Sequence, residues 1–544
     1  MIAARVRRKW NIAEFNRPGA KALAAAIDVP PLVAHLLMLR GIADASTASR
    51  FLKPAIGQLC DPFSLIGVQE AVNRIALAKE RRESVLVFGD YDVDGIAASA
   101  IMMNGLRRFG IEQCCYGMPK RLVEGYGLAE EHIEAAARDG HHLIITVDNG
   151  IASHAAAKRA RQLGVDLIIT DHHAIEAGLP DACAVVNPKR NDSAHPAAHI
   201  AGAGVAFKVC TALNGTPNDL DIAALGTVAD VVPLMGENRV IVSLGLKHMA
   251  KHRRIGIAKL AEAAGVNIES ISSENIGFHL GPRINAAGRL DDGLVALQLL
   301  LSDCPEESGR IARMLNQANE ERRAIERHIF EEAVEELEAF FTPEQRGIVL
   351  SRRGWHSGVI GIVASRVYGR FHRPVVLIAI DENGVGRGSA RAGDGFDLFA
   401  ALSACQGHLE RFGGHKAAAG FTILEDKVPA FREQFEAEAR RQLGTDEICP
   451  GLAIDALAAF GEIDSGLVRA IEQLEPLGHA NPAPLFGVLG AEVVPQSVRV
   501  LKDEHLKFTL RQEDRAFSAI AFGMAEQYHT EGIPDHVDAA FIPQ

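Results

Sequence analysis

The chain has 544 residues, of which 48% are hydrophobic and 23% are charged, an ordinary composition for globular domains. This length is too great for one hydrophobic core and predicts two to four domains. The formal net charge is −12. That sum does not indicate nucleic-acid binding, although a local basic groove would not be visible in it.

Two features of the sequence bear on location. No apolar stretch approaches the length of a membrane span, and the basic start "MIAARVRRKWNIAEFN" is not followed by the apolar region of a signal peptide. The eight cysteines form no CxxC pair and show no zinc spacing. We therefore expect a cytoplasmic protein with reduced thiols that does not contact a membrane.

The first half of the chain predicts two regions. Residues 1–80 read as an N-terminal helical extension, because "PPLVAHLLMLRGI" and "VQEAVNRIALAKE" carry apolar residues at three- and four-residue spacing. Residues 81–270 alternate strands such as "SVLVFGD", "HHLIITVDNG" and "VDLIITDHH" with helices. This alternation predicts an α/β domain with a parallel, doubly wound sheet.

The second half predicts three further regions. Residues 271–342 read as a glycine-containing loop followed by one long helix over 305–341, a rigid connector between two lobes. Residues 343–445 form a second α/β lobe with "RGIVLS" and "RPVVLIAI" as strands. Residues 446–544 carry short strands and turns that predict a small β-barrel domain. The chain stops at "VDAAFIPQ", within the last predicted strands, so we expect this barrel to be truncated or closed differently.

Acidic and imidazole side chains follow three of the predicted strands. In chain order they are Asp90, Asp92 and Asp94 in "FGDYDVDG", Asp148 in "TVDNG", and Asp171, His172 and His173 in "TDHH". The carboxyl ends of parallel strands meet at one edge of a sheet, where ligands bind. Close carboxylates repel and raise each other's pKa, so this set indicates a site for divalent metal ions that share a bridging carboxylate. Oxygen ligands with one or two histidines favour Mn²⁺ or Mg²⁺. Asp230 in "GTVADVVPL" is, on its own, as consistent with a helix cap as with a ligand.

These motifs carry a resemblance. "DYDVDG", "TVDNG", "DHH" and "GTVADVVPL", in this order, resemble the DHH phosphoesterase superfamily, and "GPRINAAGRL" and "FGGHKAAAGF" resemble its DHHA1 lobe. "EGYGL", "GWHSGVIGIVASR" and "LEPLGHANPAPLF" narrow the resemblance to the RecJ-type exonucleases of this superfamily. The resemblance runs from the N-terminal helices into the β domain, which it identifies as OB-like.

The resemblance implies a role for each residue of the acidic cluster. It implies that two divalent cations, Mn²⁺ or Mg²⁺, are bound by Asp92, Asp94, Asp148, His172 and Asp230, with Asp148 as the bridging carboxylate. Asp90 is implied to lie at or just behind the metals. His173 is implied to orient or protonate the scissile phosphate, and Asp171 to orient the histidines.

Further residues are candidates for contact with the substrate strand. They are Arg121, Tyr126, Arg283, Asn285, Arg289, Ser389, Arg391, Gly414 and His415. Arginine suits bidentate phosphate contacts, and a tyrosine can stack on a base. Plainer interpretations stay open: surface arginines in a loop, a buried structural tyrosine, and a tight turn into a strand at Gly414 and His415.

The implied function is metal-dependent hydrolysis of single-stranded DNA from its 5′ end, with two metal ions activating water, for DNA repair and recombination. One alternative is a DHH-family phosphoesterase that acts on short oligonucleotides or small nucleotides. Another is an inactive DHH scaffold, which would lack ligands that this chain has. By family inference the partners are single-stranded DNA, a single-strand-binding protein and a helicase, and we expect a monomer.

Overall fold

A computed structural model describes most of the chain. The described residues are 9–119, 127–191, 195–290, 293–444 and 450–544, with 287, 289 and 290 described by their backbone alone.

The N-terminal part is mainly helical. Its elements are β1 (Lys9–Ile12), α1 (Arg17–Ile27), α2 (Pro31–Leu39), α3 (Ala45–Leu52) and α4 (Val68–Arg81), with short 3₁₀ helices at Ile56–Gln58 and Pro62–Ser64. Local signals set these bounds. The Asn16 and Asp44 side chains cap α1 and α3 by accepting hydrogen bonds from the Gly19 and Thr47 amides.

The next region is the predicted α/β domain. Its elements are β2 (Val85–Gly89), α5 (Val93–Phe109), β3 (Cys114–Gly117), α6 (Glu130–Arg138), β4 (Leu143–Val147), α7 (His154–Leu163), β5 (Asp166–Thr170), β6 (Ala184–Val186), a 3₁₀ helix at Pro188–Arg190, α8 (Gly202–Asn214), α9 (Leu220–Ala229), α10 (Gly236–His252) and α11 (Ile255–Ala263). The five strands are all parallel, in the order β3-β2-β4-β5-β6. All five residues of β4 are buried, as expected for a central strand whose two faces are both covered by helices. The predicted parallel sheet is confirmed.

A helical region follows. It contains a 3₁₀ helix at Ile268–Ser270, α12 (Ser273–Asn275), a π-helical segment at Ile276–Leu280, α13 (Gly281–Leu290), α14 (Leu294–Leu301) and α15 (Pro305–Phe340). The 36-residue α15 confirms the predicted connector helix. The predicted loop before it is wrong over residues 273–290, which are helical. Ile276, Leu280 and Ile284 recur every four residues and are fully buried, so burial of this stripe outweighs the Gly and Pro residues of the segment.

The second lobe is also α/β. Its elements are β7 (Ile348–Arg353), α16 (Ile360–Phe371), β8 (Val375–Ile380), β9 (Val385–Arg391), α17 (Leu398–Ala404), a 3₁₀ helix at Gln406–His408, β10 (Leu409–Gly414), β11 (Ala418–Leu424), a 3₁₀ helix at Glu425–Lys427 and α18 (Val428–Leu443). The sheet order is β10-β11-β9-β8-β7, and only β7 and β8 run parallel. The predicted architecture of two α/β lobes joined by a long helix is confirmed.

The C-terminal domain is mainly β. Its elements are β12 (Gly451–Ile454), β13 (Ala456–Leu457), a 3₁₀ helix at Phe460–Glu462, α19 (Ser465–Glu472), β14 (Phe486–Val493), a 3₁₀ helix at Pro495–Ser497, β15 (Arg499–Leu501), β16 (His505–Gln512), β17 (Arg515–Ala521), α20 (Ala525–Glu531) and β18 (His536–Phe541). β14 pairs with β13, β16 and β18, and β16 pairs in addition with β15 and β17.

The two ends of the described chain fold together. β1 pairs in parallel with β12, from Lys9 opposite Gly451 to Ile12 opposite Ile454. The buried faces of α1 to α3 share one hydrophobic core with the C-terminal domain, in which Leu36 and Phe486 are both fully buried. Helices α1 to α3 are therefore part of the C-terminal domain's core.

A buried arginine joins this unit to the first lobe. The Arg239 guanidinium, on α10, donates hydrogen bonds to the carbonyls of Phe51, Leu474, Gln473 and Glu475 and lies 3.6 Å above the Phe51 ring. Burial lowers the pKa of Arg239 to about 9. Because each carbonyl carries partial negative charge, these contacts compensate part of the cost of burying the cation.

Within the described residues no single helix is long and apolar enough to cross a membrane, although α1 and α2 together reach that length and composition across a 108° bend.

Candidate metal centre and catalytic edge

Neighbouring strands bring three aspartates level at the sheet edge. Gly89 on β2 pairs with Val147 on β4, which pairs with Thr170 on β5. The next residue after each of these is an aspartate: Asp90, Asp148 and Asp171. All three are at most 4% exposed, so the parallel register alone gathers buried carboxylates at one point.

The cluster is completed by side chains from α5, the β5 exit and the end of α9. The Nε2 atom of His172 lies 3.1 Å from Asp148 Oδ1, 3.6 Å from Asp230 Oδ2 and 3.9 Å from Asp94 Oδ2. Ligand atoms of Asp94, His172 and Asp230 lie within 4.8 Å of one another, as do those of Asp90, Asp92 and Asp148. The structure thus brings together all five residues implied as metal ligands, and Asp90 lies among them.

Backbone amides at the amino end of α8 hold the Asp94 carboxylate by hydrogen bonds. The Gly202 amide donates to Asp94 Oδ2 at 2.6 Å and the Ala203 amide donates to Oδ1 at 2.9 Å. Both carboxylate oxygens are therefore fixed by backbone groups at a helix N-terminus, where partial positive charge favours an anion. A Cβ atom on Gly202 would lie 2.5 Å from Asp148 Oδ1, so glycine is required for this close approach.

The backbone also aims Asp148 and Asp92. Asp148 adopts a left-handed conformation with φ of 60°, which is uncommon outside glycine and recurs at functional sites. Asp92 caps α5 by accepting a hydrogen bond from the Gly95 amide at 3.0 Å. A Cβ on Gly95 would lie 2.5 Å from the Asp90 carbonyl oxygen. The close approach of the chain at the start of α5 therefore needs this glycine.

Crowding of these acids disfavours their charged forms. Burial, followed by the neighbouring carboxylates, raises the pKa of Asp94 and of Asp148 well above the ordinary value. The same causes raise the pKa of Asp230 to about 7. A bound cation would remove this repulsion.

His172 has the properties of a metal ligand. Burial, and next the neighbouring His173, lowers the pKa of His172 to about 3, so the imidazole is neutral as coordination requires. His172 Nε2 and Asp230 Oδ2 are buried and have no hydrogen-bond partner among the described residues. These two atoms are 3.6 Å apart and both can bind a metal ion. A set of carboxylate oxygens with one imidazole fits a divalent cation such as Mn²⁺ or Mg²⁺.

His173 and Asp171 form a pair beside the cluster. His173 Nδ1 lies 2.7 Å from Asp171 Oδ1, and Asp171 also accepts hydrogen bonds from the His172, His173 and Ile151 amides. Burial alone would lower the pKa of His173, but the bond to Asp171 raises it above the ordinary value. Burial would raise the pKa of Asp171, but the hydrogen bond and the charge of His173 bring the pKa below its ordinary value. Asp171 thus favours the protonated form of His173, whose side chain is 45% exposed.

In the second lobe the structure groups two of the substrate candidates. Ser389 and Arg391 alternate along β9, and an Arg391 Nη1 donates to Ser389 Oγ at 3.2 Å. Gly361 on α16 faces both, because a Cβ there would lie 3.0 Å from each side chain. Gly414 is the last residue of β10, and His415 follows it in the exposed turn before β11, where the His415 amide donates to the Ala418 carbonyl at 2.8 Å.

The remaining substrate candidates divide into two groups. Arg283 ties α13 to α15, since its Nε donates to Asn316 Oδ1 at 2.9 Å and its Nη1 donates to the His279 carbonyl. Asn285 lies on the same helix, and its Oδ1 is buried without a partner among the described residues. Arg121 and Tyr126 lie outside the described residues, and Arg289 is described by its backbone alone.

Sequence reasoning missed three supports of the site. The Lys189 ammonium donates to the His172 carbonyl at 2.7 Å, and the buried Asn187 amide donates to the His173 carbonyl at 3.0 Å. Gly202 supports Asp94 from more than 100 residues away. "NPKR" and "AGAG" are ordinary turn and helix-start signals, and nothing in either indicates a contact with the cluster.

Comparisons with known proteins agree with this geometry. Residues 84–229 match the DHH family, N-terminal domain, residues 344–441 match the DHHA1 domain, and residues 454–544 match the RecJ OB domain. The single-stranded-DNA-specific exonuclease RecJ of Bacillus subtilis is 38% identical, over 97% of this chain and 67% of its own length. The RecJ exonuclease of Escherichia coli is 36% identical, over 84% of this chain and 83% of its own. This chain belongs to the RecJ family.

A solved structure extends the similarity to the whole fold. The crystal structure of RecJ in complex with Mn²⁺ from Thermus thermophilus superposes with a TM-score of 0.84 at 31% identity, covering 99% of this chain and 77% of that one. A second structure of that protein is in complex with Mg²⁺. RecJ membership confirms the resemblance drawn from the motifs, and the RecJ OB match confirms the OB-like C-terminal domain.

Proposed function

We propose that this chain is a metal-dependent exonuclease that hydrolyses phosphodiester bonds of single-stranded DNA from the 5′ end. One observation carries the proposal: three strand ends and one helix end deliver Asp90, Asp92, Asp94, Asp148, His172 and Asp230 to one buried cluster. The relatives at 36–38% identity are named single-stranded-DNA-specific exonucleases.

We assign the metal ligands to two groups that share Asp148. Asp90 or Asp92 with Asp148 form one group, and Asp94, His172 and Asp230 form the other, which His172 joins to Asp148 through their 3.1 Å approach. Bound divalent cations supply positive charge to the phosphate oxygens and lower the pKa of water. Two such sites sharing a carboxylate suit in-line displacement at a phosphodiester.

The protein's own residues position the proton and the strand. Protonated His173, held at Nδ1 by Asp171 and partly exposed, can donate a hydrogen bond to a phosphate oxygen or a proton to the leaving oxygen. Ser389 and Arg391 on the second lobe offer a hydroxyl and a guanidinium for another phosphate of the strand. No protein nucleophile is required.

The test uses the purified full chain with Mn²⁺ and long single strands that carry a label at either the 5′ or the 3′ end. We expect stepwise release of mononucleotides from the 5′ end and little cleavage of blunt duplex. Asp148→Ala should lower the rate by at least about 10³-fold, since it removes the shared ligand. Asp181→Ala, in an exposed ion pair with Arg161, is the matched control and should cleave like the wild type.

Two results would contradict this assignment. Full activity of Asp148→Ala would show that the cluster is not the catalytic site. Hydrolysis of dinucleotides or small nucleotides without degradation of long strands would favour the alternative phosphoesterase. A repair and recombination role, the protein partners, the monomeric state and a cytoplasmic location stay predictions of the sequence.

A further inference from the structure

A cavity of about 580 Å³ lies beside the metal cluster, between the first lobe and the C-terminal domain. Its wall includes Ala229 and Val231, the two neighbours of Asp230, and residues of the "LEPLGHANPAP" segment such as Leu477 and Pro482. The volume falls within the range of roughly 300–1,000 Å³ that is typical of small-molecule sites. The segment from the C-terminal domain has no other role in the proposed chemistry.

Packing fixes the cavity next to the acids. The π-helical segment and α13 form its second wall. A Cβ on Gly281 would lie 3.8 Å from the Ala229 Cβ and 4.0 Å from a methyl carbon of Val93. Val93 stands between Asp92 and Asp94, so this wall lies beside the side chain that separates two of the proposed metal ligands.

Two apolar side chains lining the cavity are unusually exposed. Val231 is 64% exposed and Phe278 is 77% exposed. Val231 has φ of 59°, a conformation that β-branched residues rarely adopt and that persists mainly at functional sites. Phe278 lies in the π-helical segment, another feature that is frequent at functional sites. Both observations indicate that these side chains are held out for a ligand.

The charges at the cavity indicate which part of a nucleic acid it accepts. The lining residues that the structure describes include Glu274 and Glu475 and contain no Lys or Arg. Such a wall repels a phosphate. Asn285 lines the cavity, and its buried Oδ1 has no partner among the described residues, so this side-chain amide has hydrogen-bonding capacity left for a ligand beside it. Apolar faces with a hydrogen-bonding edge are the properties of a nucleobase.

We propose that this cavity binds the base of a nucleotide that adjoins the scissile phosphate, with Phe278 as the stacking surface. The inference rests on the proposed function and adds a base subsite to it, built partly by the C-terminal domain. It gives that domain a contact at the catalytic edge itself, through the turn that contains His479, whose carbonyl accepts a hydrogen bond from the Leu234 amide at 2.8 Å.

The test combines protein variants with abasic substrates. Single-stranded oligonucleotides that lack one base, at successive positions from the cleaved bond, are digested by the full-length wild type, Phe278→Ala, Phe278→Trp and Phe340→Ala. Phe340 is a matched control because it is also an exposed phenylalanine, at the end of α15. Circular dichroism checks that each variant is folded.

We expect the effects of Phe278→Ala and of removing a base to be non-additive at one position of the oligonucleotide. Phe278→Ala should raise KM for an intact strand about 5- to 100-fold, the effect typical of removing a base-stacking aromatic, and Phe278→Trp should restore it. One abasic position should raise the KM of the wild type by a similar factor, and there Phe278→Ala should add nothing. Phe340→Ala should match the wild type on every substrate.

Other results would overturn the subsite. They are an active wild type with Phe278 variants that match it, or a Phe278→Ala defect of equal size on intact strands and on every abasic strand. A wild type that cleaves no single strand would instead overturn the proposed function, so the two failures are distinguishable.

Discussion

The first lobe buries two clusters of aspartates and treats them in opposite ways. At the sheet edge, Asp94 and Asp148 are 1% and 2% exposed and are surrounded by other carboxylates and a neutral imidazole. At the start of α9, Asp219 and Asp221 are 5% and 1% exposed, and both are paired with arginine.

The arginines account for the second cluster completely in structural terms. Arg254 lies 2.8 Å from Asp221 and 2.7 Å from Asp219, and Arg108 also pairs with Asp219. Buried aspartates alone therefore do not identify a functional site. What distinguishes the sheet edge is that its carboxylates crowd one another, which raises the pKa of Asp94 and of Asp148 well above the ordinary value, and a bound metal ion would relieve that crowding.

The largest difference between the two clusters is expected when one aspartate in each is neutralised. In chelator at pH 8, Asp221→Asn should lower the local free energy of unfolding by about 3 kcal/mol, because it leaves Arg254 with a weakened buried partner. Asp148→Asn should raise it by about 1 kcal/mol, because it relieves repulsion among buried carboxylates. Native-state hydrogen exchange of peptides from each cluster measures both. Changes of the same sign would remove the distinction.

Addition of metal should act on one cluster alone. Mn²⁺ at about 100 times its Kd should stabilise the wild type by about 2.7 kcal/mol, seen as slower exchange in peptides covering residues 146–150 and 170–173. EDTA should reverse the effect. Asp148→Asn should show little of it, whereas Asp219→Asn should keep it. Equal protection around Asp219 and Asp221 would contradict the assignment of the cation to the sheet edge.

The pH dependence provides a third comparison. A carboxyl whose pKa is raised on folding destabilises the folded protein once it must ionise. The protonated Asp230 carboxyl therefore stabilises the folded protein relative to the ionised carboxylate. This contribution is fully present below pH 4 and is lost as the pH rises towards about 7. Asp230→Asn should therefore stabilise the metal-free protein by about 2 kcal/mol more at pH 8 than at pH 4. Denaturation in EDTA at both values measures this difference, and a pH-independent effect would contradict it.

The smallest effect is expected from the glycine behind the cluster. In Gly202→Ala the new methyl group would meet Asp148 Oδ1 at 2.5 Å, so the carboxylates of Asp148 and Asp94 should move apart. The affinity for Mn²⁺ should then fall about 10-fold, the lower end of the range for loss of a residue that supports metal ligands. Calorimetric titration with Mn²⁺ reads this directly. Gly369→Ala is the control, since Gly369 lies within α16 with open space at its Cβ position. Equal affinities for both variants would show that Gly202 is replaceable.

The acidic cluster at the sheet edge was predictable because its signals are local. The first acid of each of "FGDYDVDG", "TVDNG" and "TDHH" directly follows an apolar strand, and parallel pairing makes the ends of such strands neighbours. The assignment of Asp230 needed the family resemblance, since nothing in the sequence around it distinguishes a ligand from the end of a helix.

What the sequence did not reveal depends on distant contacts or on competing local signals. The amides that hold Asp94 come from residues 202 and 203, and the strand that pairs with β1 begins at residue 451. For residues 273–290, the Gly and Pro residues suggested a loop, yet the spacing of Ile276, Leu280 and Ile284 was the stronger physical signal, because burial of a stripe outweighs helix propensity.

The core shared by α1 to α3 and the C-terminal domain has a consequence for synthesis of the protein. On the ribosome, the apolar faces of α1 and α2 emerge more than 400 residues before Phe486 and its neighbours can cover them. At roughly 5–20 residues per second, this interval lasts on the order of 20 to 80 s. The first helices to be made are thus among the last to reach their final environment, and during that time they are natural clients for a chaperone.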